Sequence, residues 1–358
     1  MAVTLGNAAP STITLNLDSL FGTTLAAYNK TLVDNIGNTN AFFHEIIKGE
    51  MYQSQDGGAY IQTPLMYQLA AADSYDGYDT LSTLPVDGIT DAIAQWRQVA
   101  VPIAYSMKEV KMNKQRIVDL VKSRIKQAEL GIQEYWSQAF EWGTAATGGT
   151  IDTPMTSAMN GSTSIDPLGL LVKFDPTTST SIDNINQATY TWWQNKTKTS
   201  AATTYNQLLL EMNNAFHTAA LGTGGKPNLV VMDQISYELF VQALYQAYRA
   251  VNTDNNYPFE NTTYKGAHVV FDEKIPDAFS GTTSTATYGT AYFLNTQFTK
   301  VMYESESNFQ MLKDEAGKTF QKPIGGDSRV GHIGWMGNTM VTNRKKQMVF
   351  GKIARTLS

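Results

Sequence analysis

The 358 residues contain no cysteine, which excludes disulfides, thiolate zinc sites, iron–sulfur clusters and cysteine nucleophiles. Histidine is nearly as scarce. His44, His217, His268 and His332 are far apart, and no pair has the spacing of a helical metal site. Charged residues make up only 16% of the chain, against the usual quarter. Acidic groups outnumber basic ones, for a net charge of −5. A dedicated DNA-coating protein needs a basic excess to neutralise phosphate, so any contact with nucleic acid here is expected to be local and weak. No run of eighteen apolar residues is present, which excludes a hydrophobic membrane helix. The opening MAVTLGNAAPSTITLNL lacks both the charged and the apolar parts of a signal peptide, so a soluble protein made in a cytoplasm is expected.

Hydrophobic residues account for 42% of the chain, and the remainder is mostly neutral and polar. A surface of Thr, Asn, Gln, Ser and Tyr repels its neighbours weakly and is compatible with large protein–protein contacts. The length suggests two domains, or one domain with extensions. Residues 1–50 alternate short apolar groups with Gly22, Gly37 and Asn38, the pattern of brief helices in an arm. Residues 51–110 begin and end as strands, in GGAYIQTPLMYQLA and AIAQWRQVAVPIAYSM, around a polar, turn-rich middle. That reads as an extended hairpin with too few apolar side chains for a core of its own.

Residues 113–142 carry the strongest periodicity. Ile117, Val121, Ile125, Ala128, Ile132, Tyr135, Trp136 and Ala139 recur every three or four positions, with Lys114, Arg124, Lys126 and Glu134 off the stripe. Such a helix would span about 45 Å, a spine crossing the molecule, before Gly143 and a Gly/Thr/Ser-rich connection stop it. From about residue 200 the pattern becomes α/β: a helix from Thr203 to Ala220, the strand NLVVMD, the helix ISYELFVQALYQAYRA and the strand AHVVFDE. Several strands follow: AYFLNT, TKVMYES, RVGHIGWM, TMVTN and QMVFGKIA, with a Gly-Asn turn at 337–338 between the third and the fourth.

No coherent catalytic, cofactor or metal set emerges. LGTGGKP at 221–227 lacks the first glycine of a phosphate loop, and a helix precedes it rather than follows it. Gly326-Asp327-Ser328 with His332 fits no usual triad spacing. DSYDGYD at 73–79 gathers three carboxylates, but not with EF-hand spacing. Arg344-Lys345-Lys346 fits a solvated hairpin turn or a local contact with nucleic acid. The turn is the simpler reading, because no aromatic residues are interleaved for stacking.

The order of the segments resembles that of the major capsid proteins of tailed bacteriophages, with the Hong Kong ninety-seven-type coat fold. The resemblance rests on a mobile arm, an extended hairpin and a long helix ending in SQAFEWG. It continues through SIDNINQATYTWWQN, GGKPNLVVMDQISYELFVQAL, YKGAHVVFDEKIP, AYFLNT and GNTMVTNRKKQMVFGKIA. It implies an α+β capsid fold: an N-terminal arm (1–50), an extended β-hairpin loop (51–110) and a peripheral domain (111–199) with a spine helix (113–142). An α/β axial domain (200–330) would follow, and the strands of 331–358 would return to the peripheral domain. The implied function is a coat subunit that self-assembles into pentamers and hexamers of an icosahedral shell around double-stranded DNA. The same fold would also serve an encapsulin-like nanocompartment shell, and a hydrolase is the distant alternative.

On this resemblance Tyr60, Tyr75, Tyr78, Trp96 and Arg97 belong to the inter-subunit loop. Ile117, Val121, Ile125, Ile132 and Trp136 form the helix core, and residues 337–354 a hairpin with Arg344–Lys346 at its turn. The implied partners are further copies, a separate scaffolding protein, a portal, a cement protein and packaged DNA, with no membrane. The location would be the virion capsid, assembled in the host bacterial cytoplasm. Some relatives lock their shells through a loop lysine, but residues 52–107 contain none, which points to a shell held non-covalently.

Overall fold

A computed structural model describes residues 41–70, 72, 74–79, 86–112, 120–141, 163–222, 224–247, 262–272, 275, 278–279, 286–313, 317–323 and 325–357. Most of the expected arm and the start of the expected long helix, Ile117 included, lie outside these residues. In chain order, α1 (Ala41–Lys48) leads to β1 (Tyr52–Ser54), β2 (Ile61–Met66), β3 (Ile89–Ala94) and β4 (Arg97–Ser106). Helices α2 (Met107–Met112) and α3 (Leu120–Glu141) follow, then the single turn α4 (Leu168–Leu171) and strands β5 (Ser181–Ile182) and β6 (Ile185–Asn186). The α/β stretch opens with β7 (Lys196–Thr199), α5 (Tyr205–Ala220), β8 (Leu229–Met232) and α6 (Gln234–Ala247). It continues with β9 (Thr262–Tyr264), β10 (Ala267–Phe271), β11 (Ala278–Phe279) and β12 (Ala286–Leu294). Strands β13 (Thr299–Tyr303), β14 (Gln310–Met311), β15 (Ser328–Val341) and β16 (Met348–Ala354) complete the order.

These elements fall into two compact units, one from the described residues of 99–135 and 306–335, the other from those of 40–98, 136–305 and 336–358. In the first unit, Ser106 and Glu109 cap α2 reciprocally. The Ser106 amide donates to the Glu109 carboxylate at 2.8 Å and the Glu109 amide to the Ser106 hydroxyl at 3.2 Å. Arg124 of α3 donates to both oxygens of that carboxylate at 3.1 Å and to the Ala104 carbonyl at 2.6 Å. Arg124 lies off the apolar stripe, yet this pairing draws it in to 14% exposure.

The second unit is built on a seven-stranded sheet ordered β7-β16-β12-β8-β10-β9, with β11 also on β12. Strand β8 (LVVM) is buried at all four positions, so it reads as an unbroken apolar run and not as an alternation. Helix α5 starts where the Thr204 hydroxyl accepts the Gln207 amide. Its buried Leu208, Met212, Ala215, Phe216 and Ala219 join Phe240, Phe293 and Phe350 in one core. The Asp233 carboxylate accepts the Ser236 amide at the start of α6 and the Thr290 amide of β12 at 2.8 Å, and pairs with Arg355 at 3.2 Å. A Cβ on Gly289 would lie 1.8 Å from the Ser236 hydroxyl and 2.8 Å from Asp233 Oδ1, so a larger residue there would have to displace both side chains. Elsewhere in this unit Phe42 and Phe43 of α1 stack around Trp136 and Phe140, with ring centroids 5.2–5.7 Å apart.

Residues 328–354 depart from the expected pattern in two ways. RVGHIGWM and TMVTN, read as separate strands around a Gly-Asn turn, form the single fourteen-residue β15. Asn338 makes no turn because its side chain is fully buried. It donates to Asp166 at 2.7 Å and to the Gln95 carbonyl at 2.9 Å, and accepts from the Asp166 amide. The expected hairpin over 337–354 is likewise absent: β15 pairs with β13, whereas β16 lies between β12 and β7 in the other sheet.

Candidate functional site

Strands β2 and β3 pair antiparallel over six residues, from Ile61 with Ala94 to Met66 with Ile89. Alternation turns Ile61, Leu65, Ala92 and Ala94 inward, where they pack with Ile185, Trp193 and Met340. That anchors one face of the hairpin to its own chain. On the opposite face the cross-strand pair Met66 and Ile89 is 73% and 67% exposed, and Leu69 beyond it 76%. Tyr60 and Tyr75 are also exposed, and Tyr78 fully so. Trp96 is half-buried and donates its indole N–H to the Gly58 carbonyl at 2.9 Å. Arg97 sits at the hairpin root, 15% exposed and 4.0 Å from Asp166.

The basic run departs most from its sequence reading. Arg344 is 0% and Lys346 2% exposed, in a 3-10 turn between the two sheets, and only Lys345 faces solvent. Arg344 is therefore neither a solvated turn residue nor a contact for DNA or another subunit. Its guanidinium donates to the carbonyls of Leu171 at 2.9 Å and Trp193 at 2.7 Å. It also donates to Gln187 Oε1 at 3.0 Å and Asn195 Oδ1 at 2.8 Å. Burial lowers its pKa to about 10, against the opposing pull of Asp183, so it stays charged at neutral pH.

Lys346 answers the phosphate-loop question in reverse. Its ammonium donates to the carbonyls of Ala220, Leu221, Gly222 and Gly225 at 2.8–3.2 Å. Lys196 adds bonds to the carbonyls of Thr218 and Leu221. Positive φ at Gly222, Gly224 and Gly225 turns the loop around the ammonium. LGTGGKP thus offers oxygens to a cation at the C-terminus of α5, where the helix dipole also favours positive charge. A phosphate would need N–H groups there.

At the hairpin root two carboxyls lie beside a cavity of about 540 Å³. Asp183 is pushed up to about 7, by burial first and then by the charge of Asp166, against the Val341 amide and Arg344. Asp166 is raised by burial, against its bonds to Asn338 and the charge of Arg97. Sequence reading missed these two, along with Gln187, Asn195 and Asn338. One signal was available: Asp-Asn between two isoleucines in SIDNI is a two-residue hairpin turn.

The remaining candidates divide simply. Ile132 and Trp136 are buried, Val121 and Ile125 half-buried, and Ile117 lies outside the described residues. Ser328 and His332 are four residues apart on one extended strand, about 13 Å at strand rise, so the serine has no base within reach there. Asp76 and Asp79 accept amides of their own turn. Among the described residues no helix is long and apolar enough to cross a membrane.

No family model and no curated protein matches the sequence. Solved structures do match its fold. The capsid asymmetric unit of cyanophage A-1(L) superposes with a TM-score of 0.63 at 15% identity, over 92% of this chain and 98% of that one. The SrpI encapsulin of Synechococcus elongatus PCC 7942 matches with 0.55 at 9% identity, over 99% and 98%. The capsid of Myoviridae phage XM1 gives 0.55 at 9%, over 92% and 97%. This chain shares with these capsid proteins the α+β coat fold of the Hong Kong ninety-seven type found in tailed phages.

Proposed function

We propose that this chain is a coat subunit that assembles through pentamers and hexamers into an icosahedral shell enclosing double-stranded DNA. The observation that carries the reading is the hairpin. Met66, Ile89 and Leu69 are exposed on a well-paired β element, and covering them with a second copy would remove apolar area from water. On this reading the hairpin lies over a neighbouring subunit. Residues 200–330 gather around the five-fold and six-fold positions, and the long helix belongs to the peripheral domain. The role is structural and not enzymatic. Scaffold, portal and cement are separate proteins, and Lys345 is the remaining candidate for a local contact with DNA or another subunit. Assembly takes place in a bacterial cytoplasm and the product is the virion capsid. With no lysine in residues 52–107, the shell is held non-covalently, by hairpin burial, arm exchange or a cement protein, because an arginine cannot supply the uncharged amine of an isopeptide bond.

A second reading, a nanocompartment shell, is favoured by the encapsulin match over nearly the whole chain. Light scattering and negative-stain microscopy of the purified protein test both. Closed shells are expected, and after boiling in detergent they should run as one band near 39.5 kDa. Nuclease-protected DNA inside supports the first reading, and protein cargo without nucleic acid the second. A species of monomer mass that never assembles, even with a co-expressed scaffold, would falsify both.

A further inference from the structure

The root of the hairpin contains three features that shell building does not call on: the buried carboxyl of Asp183 with the half-buried one of Asp166, a left-handed turn and the cavity beside them. Asp183 and Asn184 are the two central residues of the β5–β6 turn, with φ of 51° and 66°. Asp and Asn tolerate this region better than other side chains, but less well than glycine. Neighbouring strands hold the turn in place. The Asp183 carbonyl accepts the Ile93 amide of β3 at 3.0 Å, and its carboxyl accepts the Val341 amide of β15 at 3.4 Å. One residue therefore links the hairpin to the sheet behind it. Arg97, Asp166, Leu170, Ile182 and Asp183 are among the residues around the cavity, which gives water a route to the turn.

We propose that Asp183, paired with Asp166, is a proton-operated latch on the extended hairpin: protonated, it keeps the β5–β6 turn docked on β3, and ionised, it lets the turn lift toward the cavity. The charged groups around it are few. Asp166 faces it from the segment before α4, Arg344 from the 3-10 turn and Arg97 from β4 across the cavity, with the Tyr60 phenol also at the cavity. Arg344, at about 10, stays charged at neutral pH, and the raised groups here are the two carboxyls.

The direction follows from linkage. In the docked turn Asp183 releases its proton near pH 7, whereas in a lifted, solvated turn it does so near the ordinary 3.8. Between those values the docked form holds a proton that the lifted form has lost. Each unit of rising pH there favours lifting about tenfold. Above about 7 both forms are ionised and the dependence stops. The latch is tight in mild acid and loosest from neutrality upward.

Hydrogen exchange of the full-length protein, read by mass spectrometry over residues 89–96 and 181–187, tests this from pH 5 to 8.5. Light scattering at each pH keeps the comparison within one assembly state, so the result does not depend on what the protein encloses. After correction for intrinsic exchange, wild-type protection should fall about tenfold per pH unit between 5 and 7 and then level off. Peptides from β8 should not follow. Asp183→Asn should stay protected throughout, and Asp166→Asn should level off at a lower pH than the wild type. If Asp183→Asn does not fold, the Asp166→Asn shift decides. A wild-type change below twofold between pH 5 and 7, the wild-type slope in Asp183→Asn, or an unmoved levelling-off in Asp166→Asn would each overturn the latch.

Discussion

The hairpin of residues 61–94 and the segment of 337–354 both alternate apolar and polar residues, and the molecule uses them in opposite ways. The hairpin exposes Met66, Leu69 and Ile89 at its far end. The later segment buries a guanidinium, an ammonium and the Asn338 and Gln347 amides. Oil outside and charge inside is the reverse of the usual arrangement, and each half has a cause. A buried charge persists only if fixed acceptors replace its water, and Arg344 finds two carbonyls and two side-chain oxygens within 3.0 Å. Exposed apolar groups cost a lone subunit little, but they favour any contact that covers them. On the proposed function, the stability of the single chain and its association with further copies reside in different segments.

Substitutions can separate the two. Arg344→Ala would take the guanidinium from four buried acceptors, of which Asn195 Oδ1 keeps the Lys173 amide, and should destabilise the chain by about 3–5 kcal/mol, read as a lower denaturant midpoint. Its neighbour Lys345→Ala should change that midpoint by less than about 0.5 kcal/mol. Equal effects would mean that the basic run acts as one exposed unit after all. Thr204→Ala removes the cap of α5 and should cost about 1 kcal/mol, with no effect on particle yield beyond that loss. The smallest stability change is expected for the exposed pair Leu69→Ser with Tyr78→Ser, within about 0.5 kcal/mol. That double variant should nonetheless assemble poorly in a sedimentation assay. Wild-type yields of particles would show that the hairpin tip carries no contact.

Repetition explains what the sequence made legible. Helices α5 and α6 were readable because their apolar period repeats over several turns, and strand β8 because its apolar run is unbroken. The β2–β3 pairing was readable from two alternating runs. The fate of Arg344 was not. Its acceptors lie 149 to 173 residues earlier in the chain, and no local pattern distinguishes a buried arginine from a solvated one. Gly337-Asn338 misled for the same reason. A turn signal describes what a dipeptide does when its side chain faces water, and Asn338 instead bonds to Asp166 and Gln95. The carboxyls at the hairpin root depend on the same long-range closure, so only their SIDNI turn could be read locally.

The place of β16 has a consequence for synthesis. This strand is flanked by β12 and β7, and β7 is translated about 150 residues before it. A chain still growing on the ribosome therefore has a vacant slot inside its main sheet, with β7 and the Arg344 acceptors left waiting. The sheet closes only when residues 344–354 have cleared the exit tunnel. Until then the hairpin is tethered to an unfinished body, so a nascent chain, however crowded by others on the same message, cannot yet offer a complete surface to join.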